Sequence, residues 1–181
     1  MPPKLYKDVT LSFHLIPYVG EVAHDMIYTM KSKRLFTVER YIAKELAMLL
    51  SHADFPLEDL DLAYVPRSFK GIMNHGFDHA QVLAEALSKQ ISVPVVSLFF
   101  HKRKTMLQKT LSSFERTVNA KKSYTLRRRL PKKRSHRLLI VDDVVTTGST
   151  MAKLASLAKE IGYTEINVLC IARTMRRKVD Q

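Results

Sequence analysis

One segment, Leu138–Met151, constrains the fold of this chain more than any other. It reads LLIVDDVVTTGSTM, so an apolar run ends in two carboxylates and a turn of small hydroxyl residues follows, before the helical pattern AKLASLAKEIG. We therefore predict a strand buried on both faces, a loop, and a helix that opens from the loop. Backbone N–H groups at such a helix start, together with the helix dipole, form a good binding site for phosphate.

The two acids of this segment, Asp142 and Asp143, lie where they could hold sugar hydroxyls or the water shell of Mg²⁺. The segment is not a P-loop, because no Lys precedes Ser149 or Thr150 and the pair of spaced glycines is missing. The arrangement resembles the signature for 5-phosphoribosyl-1-pyrophosphate (PRPP) in type I phosphoribosyltransferases, in which two acids precede a Thr-Thr-Gly-Ser/Thr turn.

The remaining chain alternates strands with helices from residue 37 onward. This alternation predicts an α/β fold with a parallel central sheet flanked by helices. Ligands of such sheets bind at the carboxyl ends of the strands. We expect residues 1–36 to form an N-terminal segment that packs on the core, and residues 37–181 to form the main domain. The predicted elements are helices at Thr37–Ala53, Asp78–Gln90 and Ser149–Ile161, and strands at Leu60–Val65, Val93–Phe100, Leu138–Val141 and Ile166–Ala172.

Positive charge dominates the chain, with 30 Lys and Arg against 17 Asp and Glu and a net charge of +13. The basic residues cluster at 31–34, 101–104, 127–134 and 173–178, and residues 101–134 read as a long, flexible basic loop. Such a charge either attracts polyanions, such as PRPP, nucleotides or nucleic acid, or keeps a solvated surface soluble. The sequence leaves both interpretations open.

The chain of 181 residues suits one domain, and its single cysteine, Cys170, excludes an internal disulfide framework and a zinc site built from cysteines. No apolar stretch is long enough to cross a bilayer, and the first 20 residues lack the pattern of a secretory signal. We therefore expect a cytoplasmic protein without a membrane span.

Three segments together resemble the ComF family, the competence-associated proteins that are similar to phosphoribosyltransferases. Residues 64–87 (YVPRSFKGIMNHGFDHAQVLAEAL) match its strand, Val-Pro and spaced basic positions, and residues 103–124 carry its spacing of Thr, Gln, Leu, Arg and Asn. The acidic segment, running on to VLCIART, is the third. The resemblance covers roughly residues 20–175 and implies a type I phosphoribosyltransferase fold.

The chain departs from the ComF pattern in two places. The family's Arg-Gly-Phe-Asn-Gln appears as residues 75–79, His-Gly-Phe-Asp-His, although Asp78 is still a good N-cap for the helix that follows. Many family members also begin with a cysteine-rich zinc module, which this sequence lacks, and we therefore predict no zinc.

The resemblance implies a role for each part of a site that binds PRPP and Mg²⁺. The acids Asp142 and Asp143 would hold the ribose hydroxyls and, indirectly, Mg²⁺ as the cofactor. Phosphoribosyl transfer would need cations on a closing loop, and Arg103 and Arg116 are the candidates for catalysis together with the two acids. The 5-phosphate would be held by Thr146, Thr147, Gly148, Ser149 and Thr150, and the pyrophosphate by Arg67, Ser68, Lys70 and Lys102.

Three functions remain open at this point. The first is phosphoribosyl transfer from PRPP to an acceptor that the sequence does not name. The second is a non-catalytic protein that binds nucleotides or single-stranded DNA with the same fold, since fold alone does not assign function. The third is a scaffold for the competence machinery with a vestigial phosphate site. A homodimer is among the assemblies considered.

Overall fold

The computed structural model describes residues 7–32, 36–102, 123–131 and 135–174. These residues form six strands and five helices. In chain order the elements are β1 (Ser12–Pro17), α1 (Gly20–Ser32), α2 (Phe36–His52), β2 (Leu60–Tyr64), α3 (Phe69–His75), α4 (His79–Ile91), β3 (Phe99–His101), β4 (Tyr124–Leu126), β5 (Arg137–Val145), α5 (Ser149–Glu160) and β6 (Glu165–Arg173).

The centre of the molecule is a four-stranded sheet in the order β1-β6-β5-β2, and all of its pairs are parallel. The predicted α/β architecture with a parallel sheet flanked by helices is confirmed. Strand β1, from the N-terminal segment, pairs with β6, so that Ser12 lies opposite Val168. The predicted basic loop falls largely on residues 103–122 and 132–134, which lie outside the described residues.

Side chains of β5 alternate between the two faces of the sheet, as the period of a strand requires. Leu139 and Val141 pack in the core on the side of α2 and α4, which contribute residues such as Leu46 and Leu87. On the other face, Leu138 and Ile140 pack with Met151 and Leu154 of α5. Both faces of the sheet are therefore covered, and the polar groups that remain accessible are at the strand ends.

The structure corrects two predicted strands. Strand β5 does not end at Val141 but runs to Val145, because β6 lies beside it and pairs Val145 with Arg173. The predicted strand Val93–Phe100 is not continuous: its first part only bridges β2 at Leu62, and its end belongs to a separate antiparallel hairpin of β3 and β4. Pro94 explains part of this difference, since proline has no N–H to donate to a ladder.

Within the described residues, no helix combines the length and the apolar character needed to cross a bilayer.

Candidate functional site

An open cleft of about 240 Å³ lies at the carboxyl ends of β2 and β5. Its walls come from five parts of the chain: the end of α1, the turn after β2, the start of α4, the β3–β4 hairpin, and the end of β5 with the start of α5. This is the edge of a parallel sheet at which ligands bind.

The two acids lie in the last third of β5 and line the cleft from below. The backbone N–H of Asp143 donates to Oδ1 of Asp142 at 2.9 Å, and the N–H of Val144 donates to Oδ1 of Asp143 at 2.6 Å. Each carboxylate is thus fixed by the backbone of the residue that follows it. The sequence predicted that the strand ends at Val141, before the two acids. In the structure both acids belong to β5, so the hydrogen bonds of the sheet hold their backbone.

Burial of its carboxyl group raises the pKa of Asp142 well above the ordinary value, and the charge of Asp143 raises this pKa further. The N–H of Asp143 and the ammonium of Lys31 act in the opposite direction and are outweighed. Lys31, in the last turn of α1, reaches across the cleft and places its Nζ 3.1 Å from Oδ2 of Asp143. The acidic pair therefore combines a carboxyl group that resists ionisation, that of Asp142, with one that has a counter-ion, that of Asp143.

The hydroxyl loop runs from Thr146 to Thr150 and leads into α5. Gly148 takes the N-cap position with a φ of 74°, a left-handed conformation that glycine adopts without strain, and it supplies no side-chain cap. The hydroxyl of Thr147 lies 3.0 Å from that of Ser149, and Thr150 lines the cleft. The N–H of Ser149 donates to Oγ1 of Thr147 at 3.4 Å, a long hydrogen bond. A helix start with a glycine N-cap and surrounding hydroxyl groups suits an anion.

On the opposite wall, the turn after β2 positions Arg67 and Ser68. Ser68 is the N-cap of α3 and accepts a hydrogen bond from the N–H of Gly71 at 3.1 Å, while the N–H of Arg67 donates to Oδ2 of Asp78 at 2.7 Å. The Nη1 atom of Arg67 is buried, and the part of the chain that the structure describes offers it no hydrogen-bond partner. A buried guanidinium donor without a partner is costly, and an anionic ligand would satisfy it.

The start of α4 contributes Asp78 and His79 to the same wall. Asp78 caps the helix as predicted, accepting from the N–H of Gln81 at 3.5 Å, and burial raises its pKa. His79 stands where the ComF pattern has Gln, and its Nε2 is buried with no hydrogen-bond partner in residues 7–32, 36–102, 123–131 and 135–174. Burial lowers the pKa of His79, and the nearby charge of Arg67 lowers it further. His79 is therefore a neutral imidazole at neutral pH.

The hairpin closes the cleft with His101 and Tyr124, whose rings meet edge to face with centroids 4.9 Å apart. Tyr124 also hydrogen-bonds to the side chain of Thr150, so the hairpin is tied to the hydroxyl loop. Burial, together with the charge of Asp142, raises the pKa of Tyr124 to about 12.

The structure brings together most of the residues that the sequence assigned to the site. Asp142, Asp143, Arg67, Ser68 and Thr150 line one cleft. Thr146, Thr147, Gly148 and Ser149 form the adjoining turn and helix start.

Two of the assigned residues lie away from the cleft, and two lie outside the described residues. Lys70 is exposed on α3, and Lys102 is exposed and lines a different groove beside the hairpin. Neither lies on the wall of the cleft. Arg103 and Arg116 lie outside the described residues.

The sequence did not assign Lys31, Asp78, His79 or His101 to the site. Asp78 and His79 lie just beyond the Val-Pro segment that drew attention to Arg67, so their proximity to that segment was the available signal. The only signal for Lys31 in the sequence was its place in a basic cluster. Its contact with Asp143 could not be predicted, because the two residues are more than a hundred positions apart.

No group of three or more His, Cys, Asp or Glu side chains in the described ranges is arranged to hold a metal ion. A metal at this cleft would therefore have few protein ligands, Asp142 and Asp143 among them, and would complete its shell with water or with oxygens of a bound ligand, as Mg²⁺ usually does.

Comparison with known proteins places this geometry in a family. Residues 57–181 match the phosphoribosyl transferase domain. The DNA utilization protein YhgH of Salmonella typhi is 30% identical over 175 residues, 96% of this chain and 75% of that protein. Competence protein F of Haemophilus influenzae is 32% identical over 99 residues, covering 54% of this chain and 43% of that protein.

A solved structure supports the fold. A hypoxanthine phosphoribosyltransferase from Staphylococcus aureus superposes with a TM-score of 0.50 and 16% identity, covering 90% of this chain and 77% of that one. At this identity the match concerns the fold alone. The chain thus belongs to the phosphoribosyl transferase domain family and is a relative of the YhgH and competence F proteins.

Proposed function

We propose that the cleft binds PRPP together with Mg²⁺. The observation that carries this proposal is the meeting, at one sheet edge, of a helix start with a glycine N-cap, two carboxylates and a buried guanidinium nitrogen that has no partner among the described residues. PRPP carries three chemically different parts, namely a 5-phosphate, ribose hydroxyls and a pyrophosphate, and each would meet a different one of these groups.

In this arrangement the 5-phosphate accepts hydrogen bonds from the N–H groups at the start of α5 and from the hydroxyls of Thr147, Ser149 and Thr150. The ribose hydroxyls donate to Asp142 and Asp143. Arg67 and Ser68 face the pyrophosphate, where the unpaired Nη1 of Arg67 gains an oxygen acceptor. The three parts of the ligand would therefore span the cleft from α5 to α3.

The residues at the cleft also fit Mg²⁺, since two carboxylates lie beside the place of the phosphates. Bound Mg²⁺ neutralises charge on the pyrophosphate. Asp142 and Asp143 would hold its water shell, and Arg67 would orient the leaving group. If transfer occurs, catalysis rests on this positioning and on charge neutralisation rather than on a nucleophilic side chain.

The names of the relatives point to a biological setting. One group is named for DNA utilization and the other for competence. We therefore place this chain in the handling of DNA or of nucleotides derived from it, with PRPP as the small molecule that the cleft recognises.

Isothermal titration calorimetry with PRPP, in the presence and absence of Mg²⁺, tests the proposal. The wild type should bind PRPP with micromolar affinity in the presence of Mg²⁺ and much more weakly without it. The Asp142→Asn/Asp143→Asn variant should lose the Mg²⁺-dependent part of binding. Failure of the wild type to bind, or unchanged binding by the double variant, would rule the proposal out.

A second candidate function is single-stranded DNA binding at the hairpin, and one observation favours it. The ring of Phe100 is 47% exposed although it lies in a strand. It borders an open groove of about 600 Å³ that also includes Lys102 and the run Arg127–Arg129. An exposed aromatic ring surrounded by cations can stack bases while neutralising phosphates.

Fluorescence anisotropy with a labelled oligothymidine at several salt concentrations tests this candidate. Affinity should fall steeply as salt rises. Phe100→Ala should weaken binding by roughly 5- to 100-fold, in keeping with the energy of stacking one base. Tyr41→Ala is the matched control, since Tyr41 is an exposed aromatic residue on α2 (63% exposed) away from the groove. No binding at low salt, or equal effects of the two variants, would count against this function.

A further inference from the structure

Lys31 is the residue at the cleft that neither the acidic motif nor the family match includes. It lies in the last turn of α1, before the matched region begins at residue 57. Its Nζ lies 3.1 Å from Oδ2 of Asp143, and the side chains of the two residues are 36% and 16% exposed. The contact is therefore a partly buried ion pair between two residues that line the cleft.

This ion pair gives the second oxygen of Asp143 a partner. Oδ1 of Asp143 accepts the N–H of Val144 at 2.6 Å, and Oδ2 faces Lys31. A ribose hydroxyl or a hydrated cation that approaches Asp143 therefore has to share or displace one of these partners. A divalent cation is in addition repelled by the ammonium group at this short range.

We propose that Lys31 is an exchangeable counter-ion of the acidic pair and acts as a positioning residue. When a ligand binds, the ammonium group of Lys31 moves away from Asp143 and pairs with phosphate oxygens of that ligand. The inference rests on the proposed function for the identity of the ligand. Its structural basis is independent, because Lys31 lines the same cleft as Arg67 and Ser68 and keeps its charge there after it leaves Asp143.

The exchange has two consequences of opposite sign. Without PRPP, Lys31 competes with any divalent cation for Asp143, so removal of its charge should strengthen cation binding. With PRPP, Lys31 adds a positive charge beside the phosphates, so the same removal should weaken binding of the ligand. A purely structural role of Lys31 would weaken both or change neither.

The test uses Lys31→Met, with Lys31→Arg as the conservative variant and Lys159→Met as a matched control. Lys159 forms an equally short ion pair, 2.9 Å from Asp8, on the far part of α5, so its replacement removes the same charge away from the cleft. Thermal melting of each variant confirms that it folds. Electron paramagnetic resonance then measures Mn²⁺ affinity without PRPP, and calorimetry measures PRPP affinity with Mg²⁺.

Lys31→Met should bind Mn²⁺ about 5-fold more tightly than the wild type, in keeping with the modest energy of a partly exposed ion pair. It should bind PRPP about 5-fold more weakly, while Lys31→Arg and Lys159→Met stay close to the wild type. Unchanged or weaker Mn²⁺ binding by folded Lys31→Met overturns the inference, as does the absence of Mn²⁺ binding in both proteins. If Mn²⁺ binding responds as expected but no protein binds PRPP, the proposed function fails and the competition of Lys31 for Asp143 stands.

Discussion

Asp142 accepts a 2.9 Å hydrogen bond from the backbone N–H of Asp143, the residue whose own charge opposes its ionisation. The strand thereby holds two carboxyl groups side by side under the cleft, although like charges this close repel each other. Two features reduce this repulsion: the raised pKa of Asp142 favours its protonated form, and Lys31 lies against Asp143 as a counter-ion. A ligand that binds both carboxylates has to overcome both effects.

Asp142→Asn should stabilise the protein at neutral pH. The folded-state pKa of Asp142 is raised, mainly by burial, so its contribution to stability is present below the ordinary aspartate pKa and is lost as the pH rises toward the folded-state value. Asparagine fills the same space without titrating. We expect the free energy of unfolding to rise by about 0.5–2 kcal/mol at pH 7–8, the usual range for a single stabilising substitution, and not to rise near pH 3.

Thermal melts at several pH values measure this effect. Asp25→Asn, at an exposed acid on α1, is the control and should change stability little at any pH. A gain that is equal at pH 3 and pH 8, or a loss at pH 8, would mean that burial of Asp142 is not the cause.

Binding of PRPP with Mg²⁺ should release a proton. Since the proposed complex uses the ionised form of Asp142, affinity should increase as the pH rises from the ordinary aspartate range and level off above the raised pKa of Asp142. Calorimetry at several pH values between 4 and 7, in two buffers of different ionisation enthalpy, counts the protons released, and the Asp142→Asn variant gives the share that comes from the phosphates of PRPP. If the wild type releases no more protons than Asp142→Asn at any of these pH values, the raised pKa of Asp142 is contradicted.

Gly71→Ala should weaken ligand binding although it removes no functional group. A Cβ at this position would lie 2.7 Å from Nε and 2.8 Å from Cγ of Arg67, so the Arg67 side chain has to move. Alanine is otherwise favoured inside a helix by about 0.5–1 kcal/mol, so stability should not fall. We expect a loss of PRPP affinity that approaches that of Arg67→Met.

Lys70→Met provides the comparison for both variants, because Lys70 is an exposed cation on the same helix that does not line the cleft. It should reduce PRPP affinity by less than about 3-fold, as expected for a solvent-exposed charge. Equal losses for Lys70→Met and Arg67→Met would indicate a general effect of positive charge and would contradict a specific role for Arg67.

Local sequence patterns predicted those parts of the fold that depend only on residues close to each other in the sequence. The run Leu138–Val141 is apolar at each position and lies in the central strand, and Asp78 caps α4 because its side chain can reach the N–H of Gln81. The acidic pair and the hydroxyl loop were likewise visible as one continuous motif. These features need no knowledge of the tertiary structure.

Features that depend on distant pairing were not predicted. Strand β5 extends through the acids because β6 provides partners such as Ala172 for Val144, and no local pattern in the sequence reports such partners. The same holds for Lys31, since its contact with Asp143 exists only once α1 packs on the core through Ile27. Sequence reasoning therefore identified the acidic pair, the hydroxyl loop and Arg67 of the candidate site and missed Lys31.

Tyr163→Phe should destabilise the fold without affecting the cleft. The hydroxyl of Tyr163 donates a buried 2.6 Å hydrogen bond to Oδ2 of Asp61, which also accepts the N–H of Ser135 at 3.0 Å. Asp61 is only 4% exposed and belongs to the amino-terminal half of β2, whereas the cleft lies at the opposite end of the strand. Loss of a hydrogen bond to a buried carboxylate should cost about 1.5–3 kcal/mol.

Chemical denaturation measures this loss, and PRPP titration under native conditions should give the wild-type affinity. The control is Tyr41→Phe, since Tyr41 is 63% exposed and its hydroxyl has water as an alternative partner, so stability should stay within about 0.5 kcal/mol. If Tyr163→Phe left the free energy of unfolding unchanged, the hydrogen bonds from Ser135 would be enough for the buried carboxylate of Asp61. A loss of PRPP affinity under conditions in which the variant is fully folded would instead show that the two ends of the sheet are coupled. The hydrogen bonds of Asp61 at the amino-terminal end would then control the position of Asp142 and Asp143 at the carboxyl end.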